Sequence, residues 1–205
     1  MSARKTALAS TGVCALGTIL LLALTKNFTA FTTEGQRRLT IATLHTTVPK
    51  VELETQHGKR ITFDSLRGKW LLIDFIYTRC TTYCMALGSE FDQIYNSLEP
   101  LIAEGKVQLV SISFDPAIDT PTELSGYLNR FASDSKGWIA VRPTSAADLS
   151  ALLSTFRVTV VPDQYDGFVH NTGIVVVNPS GRMEVVLNQG DPQAVVETVR
   201  KLTNQ

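Results

Sequence analysis

Residues 70–77 read WLLIDFIY, eight positions that are apolar at both parities except for Asp74. A strand with one wet face alternates apolar and polar side chains. A strand apolar on both faces must be covered on both, the situation of central strands in α/β domains. The flanking sequence supplies the matching elements. Residues 51–54 and 61–63 around His57-Gly58 predict a hairpin, and residues 107–114 (VQLVSISF) a second buried strand. A helix is expected from about Thr82 to the Glu99-Pro100 region. Thr120-Pro121-Thr122-Glu123 is a capping box with proline at the first helical position, starting a helix that runs to about Phe131. Ser145 with Asp148 starts another, and Asp191-Pro192 opens the last. Residues 174–177 and 183–187 flank the turn Asn178-Pro179-Ser180-Gly181 and predict a terminal hairpin. This order predicts an α/β domain, a central mixed sheet with helices on both faces.

The chain has 205 residues, with 19 basic and 19 acidic side chains. Zero net charge argues against a nucleic-acid partner, which requires a basic face. With 44% apolar and 19% charged residues the chain is too apolar to be disordered. Residues 6–25 carry no charge, with Arg4 and Lys5 before them and Lys26 after. Twenty helical residues span roughly 30 Å, the thickness of a bilayer's hydrocarbon core, and the preceding cations favour a cytoplasmic N-terminus. Residues 1–5 are thus expected as a cytoplasmic end, 6–25 as a transmembrane anchor, 26–50 as a tether without sustained periodicity, and 51–205 as the folded domain. A cleaved signal peptide is the competing reading of the uncharged run. In either case the domain is exported, to the periplasm or an equivalent space beyond the inner membrane.

Of three cysteines, Cys14 falls in the uncharged run and the other two in Cys80-Thr81-Thr82-Tyr83-Cys84. That segment follows the buried central strand at the start of a helix, where reactive groups of open α/β sheets collect. Four-residue spacing at a helix start puts both sulfurs on one side, and the helix N-terminus favours thiolate, which is both nucleophile and metal ligand. A purely structural disulfide is the alternative, but a loop this short constrains the unfolded chain little. His170, just before an apolar strand, is a third candidate donor; a lone histidine in such a place is more often structural. Two thiolates and an imidazole suit Cu(I), with imidazole also suiting Cu(II); zinc accepts the same donors but usually takes a fourth. His45 and His57 have no evident partners and are expected to be solvated.

Several segments together resemble the Sco/SenC family of copper-handling proteins: Asp74-Phe75-Ile76-Tyr77-Thr78-Arg79-Cys80 with Cys84, Ser111-Ile112-Ser113-Phe114-Asp115-Pro116, Asp119-Thr120-Pro121, Val169-His170-Asn171, and Asn178-Pro179-Ser180-Gly181-Arg182. The likeness runs in order over about residues 30–190. It implies a thioredoxin-like fold with one N-terminal transmembrane helix, and copper, Cu(I) or Cu(II), held by Cys80, Cys84 and His170. It further implies delivery of copper to the CuA centre of a cytochrome oxidase subunit, or reduction of that centre's cysteines with the help of a thiol reductant. The sequence departs from the family where proline usually follows each cysteine, here Thr81 and Met85, and where an acid often precedes the histidine, here Val169. Losing two fixed φ angles makes the loop less preorganised. Met85 is a soft thioether, though at a helix start methionine is more often core.

Asp74, an acid inside an apolar strand, resembles the buried acid of thioredoxin. It is either a proton acceptor for thiol chemistry or a structural carboxylate. The rival class is an enzyme: a thiol-disulfide oxidoreductase with Cys80 and Cys84 as attacking and resolving thiols, or a peroxiredoxin-like protein in which Thr81-x-x-Cys84 carries the match. A proline expected four residues before that threonine is Tyr77 here, which weakens the peroxiredoxin match. Asp115, Asp119, Asp163 and Asp166 are acids that could surround the site, with solvated loops as the default.

Overall fold

The computed structural model describes residues 3–24, 32–80, 83–131, 136–164, 167–171 and 173–204, and leaves the side chains of residues 3–7, 9, 33, 83 and 84 undescribed. The chain forms two compact units, Met1–Thr43 and Leu44–Gln205. The first contains helix α1 (Ala3–Leu24) and all but the last residue of α2 (Thr33–Leu44). The run expected as an anchor is therefore helical. Its leucines and Ile19 are interspersed with Ala, Ser, Thr and Gly, and no helix among the described residues is long and apolar enough to cross a membrane.

The segment expected as an aperiodic tether instead holds α2 over much of its length. The cause is local. Thr32 Oγ1 accepts the Gly35 N–H at 3.0 Å as an N-terminal cap, and Glu34 pairs with Arg37 at 2.8 Å and Arg38 at 2.7 Å, one turn on. Charge pairing without an apolar stripe left no periodic signal in the sequence.

The second unit begins at Leu44, seven residues before the expected boundary. Thr47 bridges Arg182, and the Val48 N–H bonds the Gly181 carbonyl at 2.9 Å, adding these residues to the domain's edge. Its sheet has seven strands in the order β2-β1-β5-β4-β3-β8-β9. They are β1 (Leu53–Thr55), β2 (Arg60–Ile61), β3 (Trp70–Ile76), β4 (Val107–Ser113), β5 (Trp138–Pro143), β8 (Ile174–Val177) and β9 (Met183–Leu187). β3, β4 and β5 are parallel, and β1, β2, β8 and β9 join antiparallel, so the sheet is mixed as expected. The central strand needs cover on both faces and has it. On one face Leu72 and Ile76 pack with Phe91, Ile94 and Leu98 of α3 (Tyr83–Ala103), Leu124 and Tyr127 of α4 (Pro121–Leu128), and Val195 and Val199 of α6 (Pro192–Thr203). On the other, Phe75 meets Phe156 of α5 (Ala146–Phe156) edge-on at 5.3 Å, and Phe156 meets Phe63 at 6.1 Å.

The expected helix starts hold. Thr120 Oγ1 accepts the Glu123 N–H at 3.4 Å, Ser145 Oγ the Asp148 N–H at 3.1 Å, and Asp191 Oδ1 the Ala194 N–H at 3.0 Å. α4 ends at Leu128, three residues before the expected end, and α3 runs on through Pro100 to Ala103. The sequence reading did not include β5, nor a separate two-stranded ribbon of β6 (Val160–Pro162) and β7 (Phe168–His170). That ribbon carries His170.

Candidate metal centre

β3 delivers the chain to the site at the carboxyl edge of the sheet. After Ile76 it turns through Tyr77, Thr78 and Arg79 to Cys80, which is buried, before α3 begins at Tyr83. The turn is fastened at two points. The Cys80 N–H bonds the Tyr77 carbonyl at 3.3 Å. Thr78 is bound to Asp119, whose carboxylate accepts the Thr78 N–H at 3.2 Å, the Thr78 hydroxyl at 2.6 Å, and the Ser113 hydroxyl from the end of β4. Asp119 is fully buried, and burial raises its pKa although those donors oppose the rise. Beside it, Arg79 pairs with Asp115 at 3.0 Å at the surface.

Among the acids expected as solvated loop residues, Asp119 is therefore a structural carboxylate inside the fold. Asp163 accepts the Gly167 N–H at 2.9 Å and closes the ribbon's loop. Asp166 and Thr81 lie outside the described residues, and Cys84 is described only in its backbone, as the second residue of α3.

His170 ends β7, half-buried, with Val160 as its register partner. Its Nδ1 is 3.2 Å from the Asn171 carbonyl. With the proton on Nδ1 that contact is a hydrogen bond, which leaves the Nε2 lone pair for a ligand. Burial lowers the His170 pKa, against the opposing effect of the Asn171 carbonyl, so the neutral, ligating form is favoured. Asn171 anchors the strand's end: Oδ1 accepts the Thr159 N–H at 2.7 Å, and Nδ2 donates to the Arg157 carbonyl at 3.0 Å.

An aromatic group joins the two halves. Tyr77 meets Phe114 at 5.4 Å and Phe168 edge-on at 5.3 Å, Phe114 meets Phe168 at 5.6 Å, and Phe114 meets the His170 ring at 4.9 Å. Sequence reasoning missed this group. Its only signal was an aromatic residue at each edge of the three site segments, and aromatics at strand ends ordinarily signify core.

Thiolate is a soft donor suited to Cu(I) and imidazole accepts copper as well; Cys80 in the turn after β3 and His170 at the end of β7 are the candidate donors, on two segments tied through Tyr77. Among the described residues no three His, Cys, Asp or Glu side chains gather closely enough to hold a metal; the Cys84 side chain is not part of that set. Met85 is exposed rather than core, its sulfur 3.8 Å from Arg130 Nη1, and Val169 is exposed beside His170. His45 is less solvated than expected, with Nδ1 3.3 Å from Glu184 Oε2, while His57 is exposed, its Nε2 3.3 Å from Gln56 Nε2.

Asp74 is fully buried, and among the described residues neither carboxyl oxygen has a partner at hydrogen-bonding geometry. Desolvation pushes its pKa up to about 7; Ser111, its register partner on β4, tempers the rise, and Glu90 of α3 adds to it. Glu90 is itself raised by burial, with one oxygen accepting the Gly190 N–H at 2.8 Å.

Comparison with known proteins places these features. The SCO1/SenC family model matches residues 42–204. A SCO1 protein homolog from Bacillus subtilis is 27% identical over 133 residues, 63% of this chain and 67% of its own length. The structure of Bradyrhizobium japonicum ScoI with copper bound aligns with TM-score 0.65 and 25% identity over 76% of this chain and 98% of that one. A SCO1/SenC family lipoprotein from Bacillus anthracis aligns with TM-score 0.69 and 21% identity, covering 78% and 96%. The expected thioredoxin-like architecture is that of these structures.

Proposed function

The chain belongs to the SCO1/SenC family, and on that premise we propose that its domain is a copper-binding protein whose cargo is held by Cys80, Cys84 and His170. The observation that carries the reading is the aromatic group that ties the half-buried His170 to the turn bearing Cys80. The donor set is few in number and drawn from the turn after β3, the start of α3 and the end of β7, which suits a site that loads and unloads Cu(I) by ligand exchange with a thiolate-bearing partner. The client in this reading is a copper enzyme such as a cytochrome oxidase subunit, as the resemblance to the Sco/SenC family implies.

The buried Asp74 favours a second use of the same cysteines. In it the Cys80/Cys84 dithiol becomes a disulfide while a client disulfide becomes two thiols, and an external thiol reductant restores the pair. The domain works in this reading in an exported space, held at a membrane by α1. Support comes from the uncharged residues 6–25 behind Arg4 and Lys5, and from the exposed Leu8, Val13, Leu16, Ile19, Leu20 and Leu24.

The test is Cu(I) titration of the fully reduced protein against a competing chelator. Cys80→Ala and His170→Ala are each expected to weaken binding by at least about tenfold, the loss of one ligand of three. Unchanged affinity in both variants overturns the copper reading. Reduction of a disulfide-bonded client peptide by the copper-free protein tests the second use.

A further inference from the structure

Tyr77 touches both halves of the site. Its carbonyl takes the Cys80 N–H at 3.3 Å, and its hydroxyl takes the Phe168 N–H, also at 3.3 Å. It is buried, with its ring against Phe114 and Phe168. The ribbon backbone closes on that hydroxyl at Gly167, where an added Cβ would stand 3.1 Å from Tyr77 Oη and 2.9 Å from Asp163 Oδ2. A side chain here would crowd both oxygens, so glycine eases the approach. The Phe168 amide lies two residues before His170, so the hydroxyl that receives it holds the strand that presents the imidazole.

We infer that Tyr77 is a positioning residue of this site: its hydroxyl seats the β6–β7 ribbon and thereby sets where His170 stands relative to Cys80. The inference rests on reading Cys80, Cys84 and His170 as the copper donors, but the seating itself is a property of the metal-free protein. Phenylalanine at this position keeps the ring contacts and removes only the hydroxyl. The effect of Tyr77→Phe therefore reports the hydroxyl rather than packing.

The experiment has two arms on the full-length reduced protein. In the metal-free arm, hydrogen exchange is followed over residues 167–171. Tyr77→Phe is expected to speed exchange there about tenfold, with β3 and β4 unchanged, because the amide loses its acceptor. Gly167→Ala, which pushes the same contact apart from the other side, is expected to act in the same direction. In the second arm Cu(I) affinity is measured by chelator competition. Tyr77→Phe is expected to weaken binding about tenfold in the wild type and to add nothing in the His170→Ala background, the non-additivity of two residues acting through one ligand. Unchanged exchange in Tyr77→Phe overturns the inference, as does full additivity with His170→Ala. Copper affinity equal in wild type, Cys80→Ala and His170→Ala overturns the copper reading, and the exchange arm still decides whether Tyr77 seats the ribbon.

Discussion

The Asp119 carboxylate is fully buried and holds both the backbone N–H and the hydroxyl of Thr78, two residues before Cys80. A buried carboxylate shared among three donors fastens the cysteine turn to the end of β4. Asp119→Ala is expected to cost roughly 2–4 kcal/mol in urea unfolding, since it strands buried donors of Thr78 and Ser113. The same variant is expected to speed alkylation of Cys80. Wild-type alkylation kinetics in a destabilised variant would show that Asp119 stabilises the domain without shaping the turn.

Asn171 is expected to separate its two bonds by substitution. Asn171→Asp keeps the acceptor for the Thr159 N–H and loses the donor to the Arg157 carbonyl, whereas Asn171→Ala loses both. Alanine is expected to cost about 1–2 kcal/mol and aspartate about half that. Both are expected to weaken Cu(I) binding, because the His170 end of β7 loses its anchor. Chelator competition beside thermal melts provides the check.

Asp74 gives a pH signature of unusual sign. Its pKa is raised from an ordinary 3.8 to about 7 by burial, so between these values the native state binds a proton that the unfolded chain releases. Its contribution is favourable at low pH and is lost as pH rises through the window up to about 7. Asp74→Asn is expected to abolish this loss. It should be the more stable protein at pH 8, by an upper limit of roughly 4 kcal/mol, with the gain vanishing near pH 4. A gain that does not depend on pH would show that the charge of Asp74 is not what costs stability.

Gly88 lies one turn after Cys84 in α3, where an added Cβ would stand 2.2 Å from the Phe131 ring. Phe131 is packed on Trp138 at 6.1 Å and Tyr127 at 5.2 Å, so it has little room to yield. Helix propensity favours Gly88→Ala by about 1 kcal/mol, whereas overpacking a core typically costs about 1–3 kcal/mol. The net expectation is destabilisation in urea unfolding; a stabilised variant would mean that Phe131 moves freely.

Most of the architecture was legible because its signals are local. The buried run at residues 70–77, the caps Thr120, Ser145 and Asp191, and the turn at residues 178–181 each state an element within a few residues. α2 was missed because it rests on charge pairs rather than an apolar stripe, and β6–β7 because three-residue strands carry no period.

By itself the sequence determined the fold class and the position of the cysteine pair after the central strand, while Cys80, Cys84 and His170 as one donor set came from the resemblance to the Sco/SenC family. Only the tertiary structure decided that Asp119 is a buried fastening rather than a solvated acid, that Met85 is exposed, and that Tyr77 joins the cysteine turn to the histidine ribbon. The reason is separation along the chain. Thr78 and Asp119 are 41 residues apart, and Tyr77 and Phe168 are 91 apart. Hydrogen bonds over such distances are set by how the packed sheet brings its strand ends together, and neither periodicity nor spacing encodes them.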